Sequence, residues 1–504
     1  MGYAEKRGDY YRARFKLADG RYDIVKDAIG GTVRFRTKRE AEQAADDAEA
    51  TVRANTFRNP AAGRVLFVDY SNEWFERLDL ALSTMQGYRR AIEDHLLPAF
   101  GELALADITA TEIALWEKRE KGLGYADASL RLWRKVLHTI LEDATEEGLI
   151  VRNAARRRRG RGRRTGRAAN RGKEKAITTA LGTLLIAERA ALLSGRDDEF
   201  VALVLKGFSG MRWGELVGLE TQFVRPNLVR VEWQLYELDT GEMHRCPPKD
   251  ESRRSVHIPT WLHTLVTNHI ADKAPQPCAC HGLRYVFSGN KAANGAPTRE
   301  SAKAKDVAIQ AGVSVGTVSN FFNHLDRLDE RTRQTVQDAV DALGYVRGSV
   351  MATPASLWRR NGFAAWLFQP AATGSYPAKA PMPARPVPLL GEPWPGIPVR
   401  GRNASGRADA CWLPIAPGLT PHSLRHTYKT LMEELGTPKP LMDEQMGHAD
   451  GSVQARYSHA TSEMVRRLLD GLTDAWEQAL AERRQLSPCS PVAALDRSMK
   501  DAEK

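Results

Sequence analysis

Between Arg152 and Lys173 the chain reads RNAARRRRGRGRRTGRAANRGK. Arginine, glycine and alanine at this density have almost nothing to bury, so the stretch cannot sit in a core and must be an extended linker. It divides a chain of 504 residues that is already too long for one core and should form about two to four domains. Every charge in the run is positive, and a flexible arginine strand tracks a phosphate backbone without reading sequence. The whole chain follows suit with a formal net charge of +11, which favours polyanionic partners. The N-terminus MGYAEKRGDYYRARF has no apolar stretch of the kind a secretory signal needs. No uninterrupted apolar run is long enough to span a bilayer. The charge therefore points to nucleic acid before membrane. Five scattered cysteines do not make a disulfide framework and fit a reducing cytoplasm.

Each side of the linker, placed at 154–175, has its own patterning. In residues 1–60, YYRARFKL and RYDIVKD flank the turn ADG as a hairpin, and GTVRFRT (Gly31 to Thr37) reads as a third strand. Thr37 can cap the helix that follows. Arg12, Arg14, Arg34 and Arg36 lie on these strands, and a sheet face lined with arginine can enter a DNA groove. A plain solvated surface is an equal reading of the same residues. Residues 65–153 show apolar residues at helical spacing in four successive stretches, a compact bundle with nothing catalytic in it. Helices resume near Ala176, and the alternating stretches LVRVEWQLYEL and RSVHIP predict a short sheet. A Pro/Gly-rich loop is expected over 369–401, then helix from His422 to about Arg484, with a catalytic domain spanning 176–486. The tail 487–504 is expected to be disordered.

Four short stretches after the linker offer residues suited to a phosphodiester. GMRWGEL contributes Arg212, PPKDESRRSVHIP contributes Lys249 on a predicted β-hairpin, HSLRHTYKT contributes His422 and Arg425 on one helical face, and MGHADGSVQARYSHA contributes His448 and Tyr457. Breaking a DNA strand without a metal requires charge stabilisation on the non-bridging oxygens of a phosphorane. Guanidinium forks match those oxygens in pairs, as lysine cannot. The leaving 5′-oxygen needs a proton, which an ammonium can supply. A phenol, with its pKa near 10, must lose its proton as it attacks, so an adjacent histidine makes sense. A covalent phosphotyrosine conserves the bond for rejoining. The scheme needs no cofactor and no metal.

Taken in order, these stretches resemble the tyrosine-recombinase (phage integrase) family. Arg212 with Glu215 resembles its first arginine box, HSLRHT its His-x-x-Arg-His box, and His448, nine residues before Tyr457, its last histidine and nucleophile. The resemblance implies that Arg212 and Arg425 clamp phosphate, Lys249 is the general acid, and His422 is the acid–base partner. It further implies that His448 bonds a phosphate oxygen, Tyr457 is the nucleophile and Glu215 braces the site from behind. Asp250 follows Lys249 where the family often has a small or hydroxylated residue. The implied fold is mainly α with small β-sheets and is multidomain. It consists of a three-stranded module like the family's arm-binding domain, a helical core-binding bundle, and a mostly helical catalytic domain. The implied function is site-specific recombination of double-stranded DNA at attachment sites, integrating or excising a phage or mobile element. The implied active form is a homo-tetramer on DNA, with a directionality factor and a host DNA-bending protein as accessory partners.

One segment departs from that family. Within the catalytic domain, residues 305–348 contain DVAIQAGVSVGTVSNFFN, which reads as helix, tight turn at Gly312, helix. Val307, Ala308, Ala311, Val313, Val318 and Phe322 can close a small core. The segment resembles the DNA-binding headpiece of lactose-repressor-type regulators. That resemblance places Ser314, Val315, Gly316, Thr317, Ser319 and Asn320 at the start of the recognition helix, facing DNA. Gly316 departs from the larger polar side chains often used there. The rival reading is therefore a DNA-binding transcriptional regulator, but no sugar-binding α/β pattern follows Gly348. A type IB topoisomerase shares the chemistry but not the two N-terminal modules. Cys278, Cys280 and His281 in CACHG could begin a zinc site. No fourth ligand stands at the usual spacing, Cys246 being a remote option, and reduced thiols are the expectation.

Overall fold

The structure, a computed structural model, describes residues 2–27, 31–54, 62–156, 175–278, 280–289, 304–323, 328–343, 357–379, 381–391, 394–401, 403–448 and 459–502. The linker run beyond Arg156 and residues 449–458, which include the expected nucleophile Tyr457, lie outside them. The chain is mainly helical with small antiparallel sheets and forms two compact units, Met1–Ala169 and Asn170–Lys504. Among the described residues no helix is long and apolar enough to cross a membrane.

The first unit opens with a three-stranded antiparallel sheet, Tyr3–Arg7, Tyr10–Lys16 and Tyr22–Ile24, in chain order. The ADG hairpin forms as expected, closed by Leu17 N–H donating to the Arg21 carbonyl at 2.7 Å. The third strand is not Gly31–Thr37. That stretch touches the sheet only through single bridges, Tyr11 to Phe35 and Lys26 to Thr32, and Tyr3–Arg7 takes the place beside Tyr10–Lys16. The reason lies in Ala4 and Ala13, which face each other across the two strands. Their small side chains let the helix Lys38–Arg53 lie on the sheet with Ala41 and Ala45 buried. Thr37 caps that helix in a reciprocal box with Glu40.

The bundle follows in helices Phe67–Glu76, Leu82–Arg90, Ala110–Gly122 and Asp127–Glu146. Its core holds Phe67, Trp74, Phe100, Trp116, Leu137 and Ile140. Trp74 donates its indole N–H to Asp143 at 2.5 Å, so the one polar atom of a buried ring is satisfied. Pro98 does not stop the second helix. The chain widens into a π-helical turn at Ala91–Leu96 and continues to Phe100. A proline has no N–H to give to the preceding turn and crowds its carbonyl; the wider turn accommodates both. The same device recurs at Ala364–Phe368 before Pro370.

The second unit is built on the helix Asp197–Ser209, almost every residue of which is buried. It packs beside the helix Ala180–Ser194. The predicted sheet is present as strands Val224–Arg225, Leu228–Val231 and Arg254–His257, with a separate hairpin of Gln234–Glu237 and Met243–Cys246. Helices Thr260–Lys273, Ser423–Glu434, Lys439–Met446 and Ser462–Leu486 complete the body. The Pro-rich stretch is not a bare loop. Pro388–Leu390 pairs with Ile397–Pro398 and with Ala410–Cys411, and Val387 and Leu389 are buried. The strands are two or three residues long, as prolines that cannot donate to a ladder dictate. The tail is not disordered either. Residues Ala493–Asp501 form a helix whose Leu495 and Met499 join the main core. Fully buried Arg483 anchors the approach, donating to Glu188 at 2.6 and 2.8 Å and to the Ser487 and Cys489 carbonyls at 2.9 and 3.2 Å.

The inserted segment forms helices Ala304–Gln310, Val315–Asn323 and Glu330–Leu343. Its separate small core contains Val307, Ala308, Val318, Phe321, Val336 and Ala339, with Ala311 and Val313 packed against it. The Phe322 side chain lies outside the description. Gly312 turns the chain at φ +65°, a left-handed conformation that a side chain resists.

Candidate active site

Arg212 and Arg425 are far apart in sequence and meet on one short turn. Arg212 stands at the N-terminus of the helix Trp213–Val217, after the left-handed Gly210 that ends the buried helix. It donates through Nη1 to Glu215 Oε1 at 2.8 Å and to Ser252 Oγ at 3.1 Å, and through Nη2 to the Gly447 carbonyl at 3.3 Å. Arg425, on the first turn of Ser423–Glu434, is only 3% exposed. It donates to the Gly210 carbonyl at 2.6 Å, to the Met446 carbonyl, and to Nε2 of His448 at 3.2 Å. Both guanidinium groups thus hold the Met446–His448 turn, which leads directly into the segment carrying Tyr457. Tyr457 itself lies outside the described residues.

Glu215 is the buried counter-charge. Burial disfavours its ionised form, but donors from Arg254 and Arg212 more than offset this and hold its pKa at about 2. Arg254 grips it in a two-pronged pair at 2.8 and 3.0 Å and also donates to the Gln445 carbonyl at 3.0 Å. Cations nonetheless prevail here. Burial, and then the neighbouring Arg212 charge, bring Arg425 down to about 10. Lys206 is fully buried, and burial brings it down to about 7 while its ammonium donates to the Met211 carbonyl at 2.5 Å.

His422 occupies the N-cap of the Arg425 helix, edge-on to His426 with ring centres 5.0 Å apart. Its pKa is depressed to about 4 by burial first, and then by Lys206, His426 and Arg425. The positive end of the helix acts in the same sense. His448 is half exposed. Its Nε2 accepts from Arg425, and its pKa is lowered by burial and by the two site arginines.

The structure therefore brings together Arg212, Glu215, Arg425 and His448, and places His422 at the head of the Arg425 helix. Lys249 is not on the hairpin. It begins a single 3₁₀ turn, Lys249–Glu251, beyond strand Met243–Cys246, and its side chain is exposed. Pro247 and Pro248 account for this, since neither can donate to a ladder. Ser252, three residues on, reaches Arg212 in its stead.

Arg254 and Lys206 were not anticipated. Arg254 is hidden in a run of charges, Lys249 to Arg254, where only burial distinguishes one arginine from the next. Lys206 did leave a signal: it is a lone lysine in the apolar helix FVALVLKGF.

Among the remaining candidate DNA residues, Arg12 and Arg14 are part-buried and Arg34 is exposed. Arg12 donates to the Tyr10 hydroxyl at 3.0 Å, Arg14 pairs with Glu5 at 3.1 Å, and Arg34 lies over the Tyr10 ring at 4.9 Å. Arg36 is exposed. In the insert, Ser314 caps its helix by accepting from the Thr317 amide at 3.0 Å, and its hydroxyl also contacts that of Thr317 at 2.9 Å. Gly316 is exposed and Asn320 half-buried; the Val315 and Ser319 side chains lie outside the description.

Comparison with known proteins finds two family matches. Residues 66–119 match the family described as phage integrase, N-terminal SAM-like domain, and residues 303–348 match bacterial regulatory proteins of the lacI family. A putative prophage phiRv2 integrase of Mycobacterium tuberculosis is 22% identical over 268 residues, which cover 52% of this chain and 66% of the relative. The matched region thus spans just under two thirds of that relative. The HTH-type transcriptional regulator RegA of Clostridium saccharobutylicum is 51% identical over 41 residues, 8% of this chain and 12% of the regulator. Among solved structures, the Tn1549 transposon integrase in complex with a circular intermediate DNA aligns with a TM-score of 0.46 at 13% identity, over 80% of this chain and 98% of that one. The resemblance is thus to tyrosine recombinases of the phage-integrase type. The lacI-family similarity is confined to residues 303–348, within the second unit.

Proposed function

We propose that this protein is a tyrosine-type site-specific DNA recombinase that cleaves and rejoins double-stranded DNA through a 3′-phosphotyrosyl intermediate, with Tyr457 as the nucleophile. The observation that carries the proposal is the convergence of Arg212 and Arg425 on the Met446–His448 turn, nine to eleven residues before Tyr457 in the sequence. Arg212 and Arg425 clamp the scissile phosphate and stabilise the charge that grows on it. His422, neutral at pH 7, accepts the phenol proton. His448 bonds a phosphate oxygen, and Glu215 with Arg254 fixes the orientation of Arg212. Lys249, on its exposed turn, swings in to protonate the leaving 5′-oxygen.

Around this centre, residues 65–153 act as the core-binding module and residues 1–60 as an arm-type DNA-binding module, with Arg12, Arg14, Arg34 and Arg36 on its surface. The basic linker tracks phosphates. Residues 305–348 add a further DNA reader through Ser314, Val315, Gly316, Thr317, Ser319 and Asn320. The working form is a homo-tetramer on two duplexes in the cytoplasm, assisted by a directionality factor and a host DNA-bending protein. The reaction integrates or excises a phage or mobile element.

The test is a nicked attachment-site duplex that releases a short fragment on cleavage and so traps the intermediate. The expected result is a protein–DNA adduct stable to denaturant and destroyed by protease. Tight binding with no adduct would favour a regulator that binds DNA without cutting it.

A further inference from the structure

We infer that Cys278, Cys280 and His281 form a zinc-type metal site, separate from the DNA-cleaving centre. Among the described residues this is the one place where three such ligand atoms gather within coordination distance. The two sulfurs are 3.5 Å apart, and His281 Nδ1 lies 3.4 Å from Cys280 Sγ and 3.8 Å from Cys278 Sγ. In a tetrahedron with metal–sulfur bonds of about 2.3 Å and a metal–nitrogen bond of about 2.0 Å, neighbouring ligands stand roughly 3.5–3.8 Å apart. The three atoms already have the spacing of one face of that tetrahedron.

Two further features point to a cation. Nε2 of His281 lies 2.8 Å from the Met243 carbonyl. A carbonyl can only accept, so Nε2 carries the hydrogen and Nδ1 presents its lone pair toward the sulfurs. This is the outer hydrogen bond that orients a metal-bound histidine. The His281 amide also donates to Cys278 Sγ at 3.3 Å, which stabilises a thiolate. The turn is closed by Gly282 at φ +67° and by paired hydrogen bonds, Gly282 N–H to the Cys278 carbonyl and Cys278 N–H to the Leu283 carbonyl, each 2.9 Å. The Tyr285 hydroxyl, 2.9 Å from Nδ1, donates to that lone pair and yields it to the metal. Because Cys280 is exposed, water completes the fourth position.

The consequence is mechanical. His281 is tied to Met243, on the strand that runs toward Lys249. Glu220, which bridges to Tyr285, pairs with Arg245 on that same strand at 2.8 and 2.9 Å. Metal binding locks the CACHG turn and so fixes the base of the segment carrying Lys249.

The test uses the full chain, purified without a histidine tag and dialysed after exposure to zinc. Elemental analysis is expected to find about one zinc per chain. Cobalt(II) should replace it, with the visible bands of a tetrahedral site and a near-ultraviolet thiolate charge-transfer band. Cys280→Ser and His281→Ala, at positions not buried in the core, should each lose the metal and the charge-transfer band, while Cys411→Ser keeps both. Absence of zinc and of the cobalt band in the parent protein would overturn the proposal. So would full retention of zinc by a Cys280→Ser/His281→Ala double variant.

Discussion

The arginine cluster and the inserted helix-turn-helix both gather residues suited to DNA, in opposite ways. The insert is local. Its core residues, its turn glycine and its three helices all fall within residues 304–343. The cluster draws on five separate stretches, from Lys206 to His448, and its charges are buried and braced against one another. An exposed polar residue can be exchanged at little cost to the fold. A buried guanidinium that makes three hydrogen bonds cannot, because its neighbours are left with unpaired charge. The number of arginines thus says little about a catalytic site; their convergence on one turn says much. The N-terminal arginines make the same point, since Arg12 and Arg34 meet Tyr10 and Arg14 meets Glu5, all of them neighbours in the first module.

The largest expected effect follows from that contrast. Arg212→Lys and Arg425→Lys should each slow adduct formation by about 10²–10³-fold, since a point charge replaces a positioned fork. Arg12→Lys and Arg34→Lys should leave adduct formation on a minimal core site unchanged. Gel quantification of the trapped adduct over time makes the comparison, and equal effects in the two sets would erase it.

Next in size is Glu215→Gln. Removing the buried carboxylate charge strands Arg254 and should cost about 3–5 kcal/mol of unfolding free energy, read by urea titration. The pH dependence has a definite sign. The folded carboxyl titrates at about 2, below its unfolded value of about 4.3, so the unfolded chain takes up this proton first. The stabilisation is therefore present above about pH 4.3 and lost as pH falls through 2. The Gln variant should lack this part of the acid sensitivity.

His422 offers a gentler probe. In the free protein its ring should stay neutral down to about pH 4, well below the ordinary histidine range, and a bound phosphate should raise that midpoint. Histidine NMR titration with a His422→Asn control assigns the signal. A midpoint near 6.5 in the free protein would remove both the burial of His422 and its crowding by cations from the account.

The smallest expected effect concerns the insert. Replacing residues 305–348 by a short Gly/Ser bridge should leave adduct formation on a minimal core site unchanged. On longer DNA it should weaken binding and flatten the salt dependence, because phosphate contacts are lost. An unaltered salt slope would mean that the insert does not touch DNA.

How far the sequence could be read follows from the same contrast. Local features were legible: the Thr37 cap, the turn at Gly312, and Val307, Ala308 and Val318 in the insert core are set by neighbours a few residues away. The boxes around Arg212, His422 and Arg425 were legible as motifs, yet the bracing by Arg254 and the burial of Lys206 were not, since both depend on strands and helices meeting across long separations. The sequence around Lys249 predicts a hairpin, but Pro247 and Pro248 end the ladder before it. The tail was misread because a terminus rich in small and charged residues suggests fraying. Val492, Leu495 and Met499 fall on one helical face, however, and Arg483 secures the chain leading to it.

The central claim is that Tyr457 becomes joined to DNA. Mass spectrometry of the protease-treated, nuclease-trimmed adduct is its most direct measurement. The account predicts a nucleotide remnant on the phenol oxygen of Tyr457 in the parent protein. It also predicts that Tyr457→Phe retains DNA binding with no adduct at any time point. A remnant on another residue, or an adduct formed by the phenylalanine variant, would contradict it.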